Sequence, residues 1–183
     1  GGIEPRWLPY AKELNYIGFE PDKRSFTSLS NTHNCKSYKI INSVVWESKK
    51  EIPFYLCQKP QVSSVFKPNQ EFLDEFPDSK RFQVKSINTF EASTLDIELA
   101  DFEVDFVKLD IQGAELSALK GMECKLSKCL GIELEAEFLP LYKEQPLFGE
   151  IDKFLNSQGF QFIDFTSLCR WERNQHNLCG QCV

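Results

Sequence analysis

Residues 104–115 read Val-Asp-Phe-Val-Lys-Leu-Asp-Ile-Gln-Gly-Ala-Glu, an apolar run that stops on a carboxylate, passes a glycine and meets a second carboxylate. A short apolar run bounded by a turn signal predicts a buried strand of the parallel-sheet type. In an open α/β sheet the ligand crevice lies outside the carboxyl ends of the strands, so Asp110 is placed to face that crevice while Val107 and Leu109 belong to the core. Residues 114–120 then read as a helix with Leu116, Ala118 and Leu119 along an apolar stripe. Strand, acidic turn and helix together restrict the chain to folds that hold a ligand at a strand end.

The rest of the chain alternates in the same way. Residues 5–14 predict a helix opened by Pro5, 16–20 a short buried strand, 21–29 a helix, and 38–45 a third strand. Residues 52–57 form a further extended piece before a loop rich in Pro, Ser and Lys, and 82–90 another strand. Thr94 is placed as the cap of a helix reaching about residue 100, and 104–110 is the strand described above. Residues 129–137 read as a strand with alternating acids, 148–158 as a helix stopped by Gly159, 160–166 as the last clear strand, and 170–183 resist assignment. Such alternation predicts an α/β fold with a mostly parallel sheet and helices on both faces. No repeat, low-complexity tract or linker divides it, so residues 1–183 are expected to form one domain.

Composition narrows the class of partner. With 42% hydrophobic and 26% charged residues the chain is globular in type, and its net charge of −6 opposes nucleic acid and anionic membranes. Lys49 and Lys50 are flanked by Glu47 and Glu51, and Lys80 and Arg81 follow Asp78, so no basic patch overrides that balance. No apolar run approaches a membrane span or a signal peptide, and a cytoplasmic location is the expectation. Seven cysteines cannot all pair within one chain, and reduced thiols are expected. Cys169, His176, Cys179 and Cys182 are of the types that bind zinc, but a single Cys-x-x-Cys lacks its paired half, so no metal is assigned.

The 104–115 run, continued by Leu116 and by Lys120-Gly121, resembles the signature of the FkbM-type methyltransferases. Gly18-Phe19-Glu20-Pro21-Asp22 is similar to that family's second strand end, Ser63-Ser64-Val65 to its serine pair, and Thr94-Leu95-Asp96 to its helix start. Glu133-Leu134-Glu135, Leu141-Tyr142, Phe148 and Gly159-Phe160 continue the resemblance in the same order. Where the family carries a second signature acid, this chain has Gln112, equal in length and without charge. The resemblance implies a Rossmann-like class I methyltransferase fold, with Gly1 and Gly2 as the tail of the nucleotide loop, its first strand missing and its last strand cut short. It also implies the cofactor S-adenosyl-L-methionine and a hydroxyl acceptor on a sugar, glycan or secondary metabolite.

Methyl transfer from a sulfonium requires collinear donor and acceptor and removal of the acceptor proton. Gly1 and Gly2 let the backbone approach the cofactor, and Glu20, 18 residues beyond Gly2, is spaced to accept the ribose hydroxyls. The same spacing serves NAD, so an NAD-dependent oxidoreductase is one alternative, and a non-catalytic binding module is another. Asp110 is the candidate for the sulfonium end or the acceptor proton, with helix capping at Gly113 as its structural alternative. Glu135 is the better of the two acids that share a strand face with an apolar neighbour between them, and Glu115 belongs either to the ligand or to the first helical turn. Gly113 is placed at the cofactor and Tyr142 at the crevice mouth by the resemblance, whereas His33 and His176 fall in no motif and carry no assignment. With its nucleotide loop unsupported, the chain is expected to bind cofactor weakly or not at all.

Overall fold

Proline presets helical φ and has no amide hydrogen to lose, so a helix opens readily on Pro5. In the computed structural model, which describes residues 3–21, 35–174 and, as backbone, 179–182, the helix at Pro5–Glu13 is wound as 3₁₀. A second proline inside it, Pro9, removes a further donor, and the segment adopts the tighter turn in place of a regular α-helix. The chain divides into two compact units, Gly1–Val45 and Trp46–Val183.

In the first unit, β1 (Asn15–Phe19) and β2 (Ser37–Ile41) pair in parallel, from Asn15 opposite Ser37 to Phe19 opposite Ile41. Tyr16 stacks on Tyr38 with ring centroids 5.0 Å apart, and a Cβ on Gly18 would lie 2.8 Å from Ile40 Cδ1. The expected 38–45 strand breaks at Asn42, whose side-chain amide donates to the carbonyls of Glu20 (2.7 Å) and Pro21 (3.1 Å). It resumes as the two-residue β3 (Val44–Val45). Most of the helix predicted over 21–29, and His33, lie outside the described residues.

In the second unit, β4 (Lys50–Cys57) runs antiparallel to β5 (Val84–Ser93), with a register shift between Leu56 and Cys57. The helix α1 (Gln70–Leu73) and two 3₁₀ turns, Pro60–Val62 and Ser79–Phe82, lie between them. Here the parallel expectation fails: these two strands form a ribbon in which most of β5 faces solvent, and Pro53, lacking a donor, sits within β4. Thr94 Oγ1 accepts from the Ile97 amide at 3.2 Å and opens α2 (Leu95–Glu98), the cap expected there.

The strand β6 (Phe106–Leu109) pairs in parallel with β7 (Gly131–Leu134), and α3 (Glu115–Lys120) and α4 (Glu123–Leu126) lie between them in the chain. Leu109 is buried, but Phe106 and Lys108 are exposed, so β6 is covered on one face only. Lys108 pairs with Glu133 at 3.4 Å on that outer face. After α5 (Phe148–Ser157), residues 160–166 form no strand, contrary to expectation. Among the described residues no strand pairs with them, Ile163 is 89% exposed, and Phe162 and Phe165 turn instead onto Phe138 and Phe148. The ambiguous tail pairs β8 (Arg170–Glu172) antiparallel with β9 (Cys179–Cys182). The result is an α/β chain of small sheets, parallel in β1/β2 and β6/β7 and antiparallel in β4/β5 and β8/β9.

A core of Leu73, Phe82, Leu141 and Tyr142, packed by Val62, Phe66, Phe72 and Trp171, lies beneath the strand-end turn. The other buried group, Leu116, Leu119, Met122 and Leu126, comes from α3, α4 and their junction. Gly121 ends α3 because a Cβ there would run into the Trp46 carbonyl oxygen, a backbone atom that cannot swing aside. Gly121→Ala is expected to lower unfolding stability by about 2 kcal/mol or more through this clash. Gly149→Ala, where a Cβ meets nothing within 4 Å, should leave stability unchanged or raise it slightly in the same urea titration.

Candidate active site

The parallel pair β6/β7 ends on two acids. Asp110 follows Leu109, and Glu135 follows Leu134, its amide donating to the Leu109 carbonyl at 2.9 Å. Both carboxylates therefore emerge at the carboxyl ends of adjacent parallel strands, where α/β proteins hold ligands. Gln112 joins them. One hydrogen of its side-chain amide goes to Asp110 Oδ1 at 3.0 Å and the other to Glu135 Oε2 at 2.7 Å. Its Oε1 lies 3.0 Å from the Tyr142 hydroxyl, which also reaches the Val62 carbonyl at 3.0 Å. A carboxylate at this position would face two others; the amide supplies both donors and cancels no charge.

The turn that presents these groups is locked by hydrogen bonds. Gln112 and Gly113 take φ of 57° and 96°, the left-handed region. Ser64 Oγ donates to the Gln112 carbonyl at 2.6 Å, and Glu115 Oε1 accepts from the Ile111 amide at 2.8 Å. A Cβ on Gly113 would find ordinary contacts with Gln145 and Tyr142, so the positive φ is what calls for glycine there. Asp110 caps nothing: the residue before α3 is Ala114, with no side-chain cap.

Burial dominates the electrostatics. Glu115 is 1% exposed, and loss of water, reinforced by the charge of Glu137, raises its carboxyl to about 8. Glu137, 2% exposed, is raised for the same reason; the Gln145 side chain offsets part of that shift, and the Asp110 charge adds to it. Desolvation also raises Glu135, with Asp110 the next cause. Tyr142 is fully buried and its hydroxyl is driven far upward, so it remains a proton donor. Glu115 Oε2, Glu137 Oε2 and Gln145 Nε2 are buried and complete no hydrogen bond among the described residues.

The structure thus brings Asp110, Gly113, Glu115, Glu135 and Tyr142 together. Glu20 stands at the end of β1 in the other unit, its amide donating to the Ile41 carbonyl at 3.0 Å, and Gly1 and Gly2 lie outside the described residues. Glu137 was missed, although it continues the alternation of Glu133 and Glu135. No pattern pointed to Gln145, and the linking role of Gln112 appears only in the contacts. Among the described residues no group of three or more His, Cys, Asp or Glu has metal-binding placement; His176 and the side chains of Cys179 and Cys182 lie outside them. No helix of the described residues is long and apolar enough to cross a membrane.

The family model described as the methyltransferase FkbM domain matches residues 6–162. The chain belongs to the FkbM methyltransferase family. The match takes in β1 to β7 and α1 to α5 together with every acid of the strand-end site. No curated protein and no solved structure matches the chain significantly.

Because Glu115 holds its proton more tightly when folded than when unfolded, the folded state binds more protons between about pH 4.5 and about pH 8. Its contribution is therefore intact below the ordinary carboxyl range and is lost as pH rises through about 8. Urea unfolding should show lower stability at about pH 8 than at about pH 5, and Glu115→Gln should flatten that difference by a few kcal/mol.

Proposed function

We propose that this protein transfers the methyl group of S-adenosylmethionine to a hydroxyl oxygen of a small-molecule or glycan acceptor. The observation that carries the reading is the Gln112 amide holding Asp110 and Glu135 side by side beyond β6 and β7. When bound, the cofactor supplies a methyl carbon on a positively charged sulfur, open to in-line displacement that leaves the bonding electrons on sulfur. Carboxylates suit that charge, and the donor set at this strand end is of that chemistry.

Asp110, exposed at the strand end, offers its negative charge to the sulfonium. Glu135, half-buried and with its proton affinity raised by desolvation, takes the acceptor's hydroxyl proton as the oxygen–carbon bond forms. Gln112 fixes the two carboxyls, and Tyr142 fixes Gln112 from the core side. Gly113 permits the turn, and Glu115 anchors it through the Ile111 amide. Gly1, Gly2 and Glu20 would serve the nucleoside part, with Glu20 on the ribose hydroxyls.

Calorimetric titration of the full-length protein with S-adenosylhomocysteine and with NAD tests this reading. Micromolar binding of the first alone is expected; binding of NAD alone would make it an oxidoreductase, and binding of neither a non-catalytic module. With an acceptor that supports turnover, Asp110→Asn and Glu135→Gln should each lower kcat by about a hundredfold to ten-thousandfold, read as S-adenosylhomocysteine release.

A further inference from the structure

Beside the strand-end acids the second unit carries a hollow of about 520 Å³. Three aromatic rings, Trp46, Tyr55 and Phe66, and three cations, Lys50, Lys67 and Lys143, contribute to its lining. Glu51 and Glu144 line it too.

The three lysines are not equivalent. Lys50 is engaged, lying 4.0 Å from Glu47 and 5.2 Å from the centroid of Trp46. Lys67 and Lys143 make no ion pair among the described residues. The Lys143 amide donates to the Lys67 carbonyl at 2.8 Å, and their neighbours Pro68 and Tyr142 form an antiparallel bridge. In that register Lys67 and Lys143 stand directly opposite one another, so two like-charged side chains leave the same face. Such a pair is unfavourable by itself and becomes favourable when an anion lies between its ends.

The rings add the rest of the ligand. Aromatic side chains present flat apolar faces on which a sugar or aryl ring packs, and Trp46 has in addition a buried Nε1–H that meets no acceptor among the described residues. The hollow is also joined to the carboxylates by backbone. The Phe66 amide donates to Ser64 Oγ, which donates to the Gln112 carbonyl, and Tyr142, bonded to Gln112 Oε1, immediately precedes Lys143.

We infer that this hollow is the part of the acceptor site remote from the reacting hydroxyl, and that it takes a ring with an anionic substituent, a carboxylate, sulfate or phosphate, seated between Lys67 and Lys143. Its role as acceptor site rests on the methyl-transfer reading; the anion preference does not. The probes are 4-nitrophenyl β-glucuronide and 4-nitrophenyl β-glucoside, which differ by a carboxylate, titrated calorimetrically into the full-length protein at low salt.

The glucuronide is expected to bind roughly tenfold more tightly than the glucoside. The double variant K67A/K143A should lose that preference while keeping its affinity for the glucoside, and K67R/K143R should retain it. Both variants alter exposed side chains, and matching circular dichroism spectra establish that they fold. Equal affinities, no glucuronide binding, or a preference that survives K67A/K143A would overturn the inference. S-adenosylhomocysteine binding, measured in parallel, keeps the two ideas apart: an anion preference without cofactor binding defeats methyl transfer, and cofactor binding without the preference defeats the anion seat.

Discussion

A carboxylate removed from water must be compensated or protonated, and Glu115, 1% exposed, is the group on which the strand-end turn is hung. Its Oε1 takes the Ile111 amide while Ser64 takes the Gln112 carbonyl, so both ends of the turn are tied before any ligand arrives. With those groups fixed, Gln112 is held in the left-handed region and its side chain is directed between Asp110 and Glu135. Glu115 thereby acts on the site through the backbone, and its first-turn position and its place in the signature describe one role.

Gln112 departs from the family's acid, and the contacts give that departure a physical meaning. A third carboxylate between Asp110 and Glu135 would raise the proton affinity of all three, since each charge disfavours the next. The amide instead supplies a donor to each neighbour and an acceptor to Tyr142. The amide fixes the pair, and Glu135, raised by desolvation and by Asp110, is the member that holds a proton more tightly. Glu137, buried with one oxygen unsatisfied, has its carboxyl raised by desolvation, and the Asp110 charge adds to that rise.

How far the sequence revealed this arrangement depends on the range of the forces involved. Elements set by local periodicity and capping were legible: Thr94 capping α2, the helix ending before Gly159, and the strand leading to Asp110. Elements set by distant partners were not. The β4/β5 ribbon depends on pairing across an intervening segment with its own helix, and 160–166 has strand-like residues but no neighbour to pair with. At the site, the acids stood out because charges at the end of apolar runs are costly to place. The Gln112 bridge, the Gln145 contact and the opposed Lys67 and Lys143 arise from tertiary register, which no local pattern encodes.

The serine pair behind the turn divides its labour. Ser63 Oγ receives the Cys57 amide at 3.0 Å, beside the register shift in β4, while Ser64 exchanges backbone hydrogen bonds with Tyr55 and sends its hydroxyl to Gln112. Ser63 thus holds to the ribbon, and Ser64 ties the ribbon to the loop that carries the carboxylates. A twist of the ribbon displaces Ser63 and Ser64 together, and the loop must follow or lose its tether. Exposed sheet at one end and buried polar groups at the other are thereby joined through the Ser64 hydroxyl.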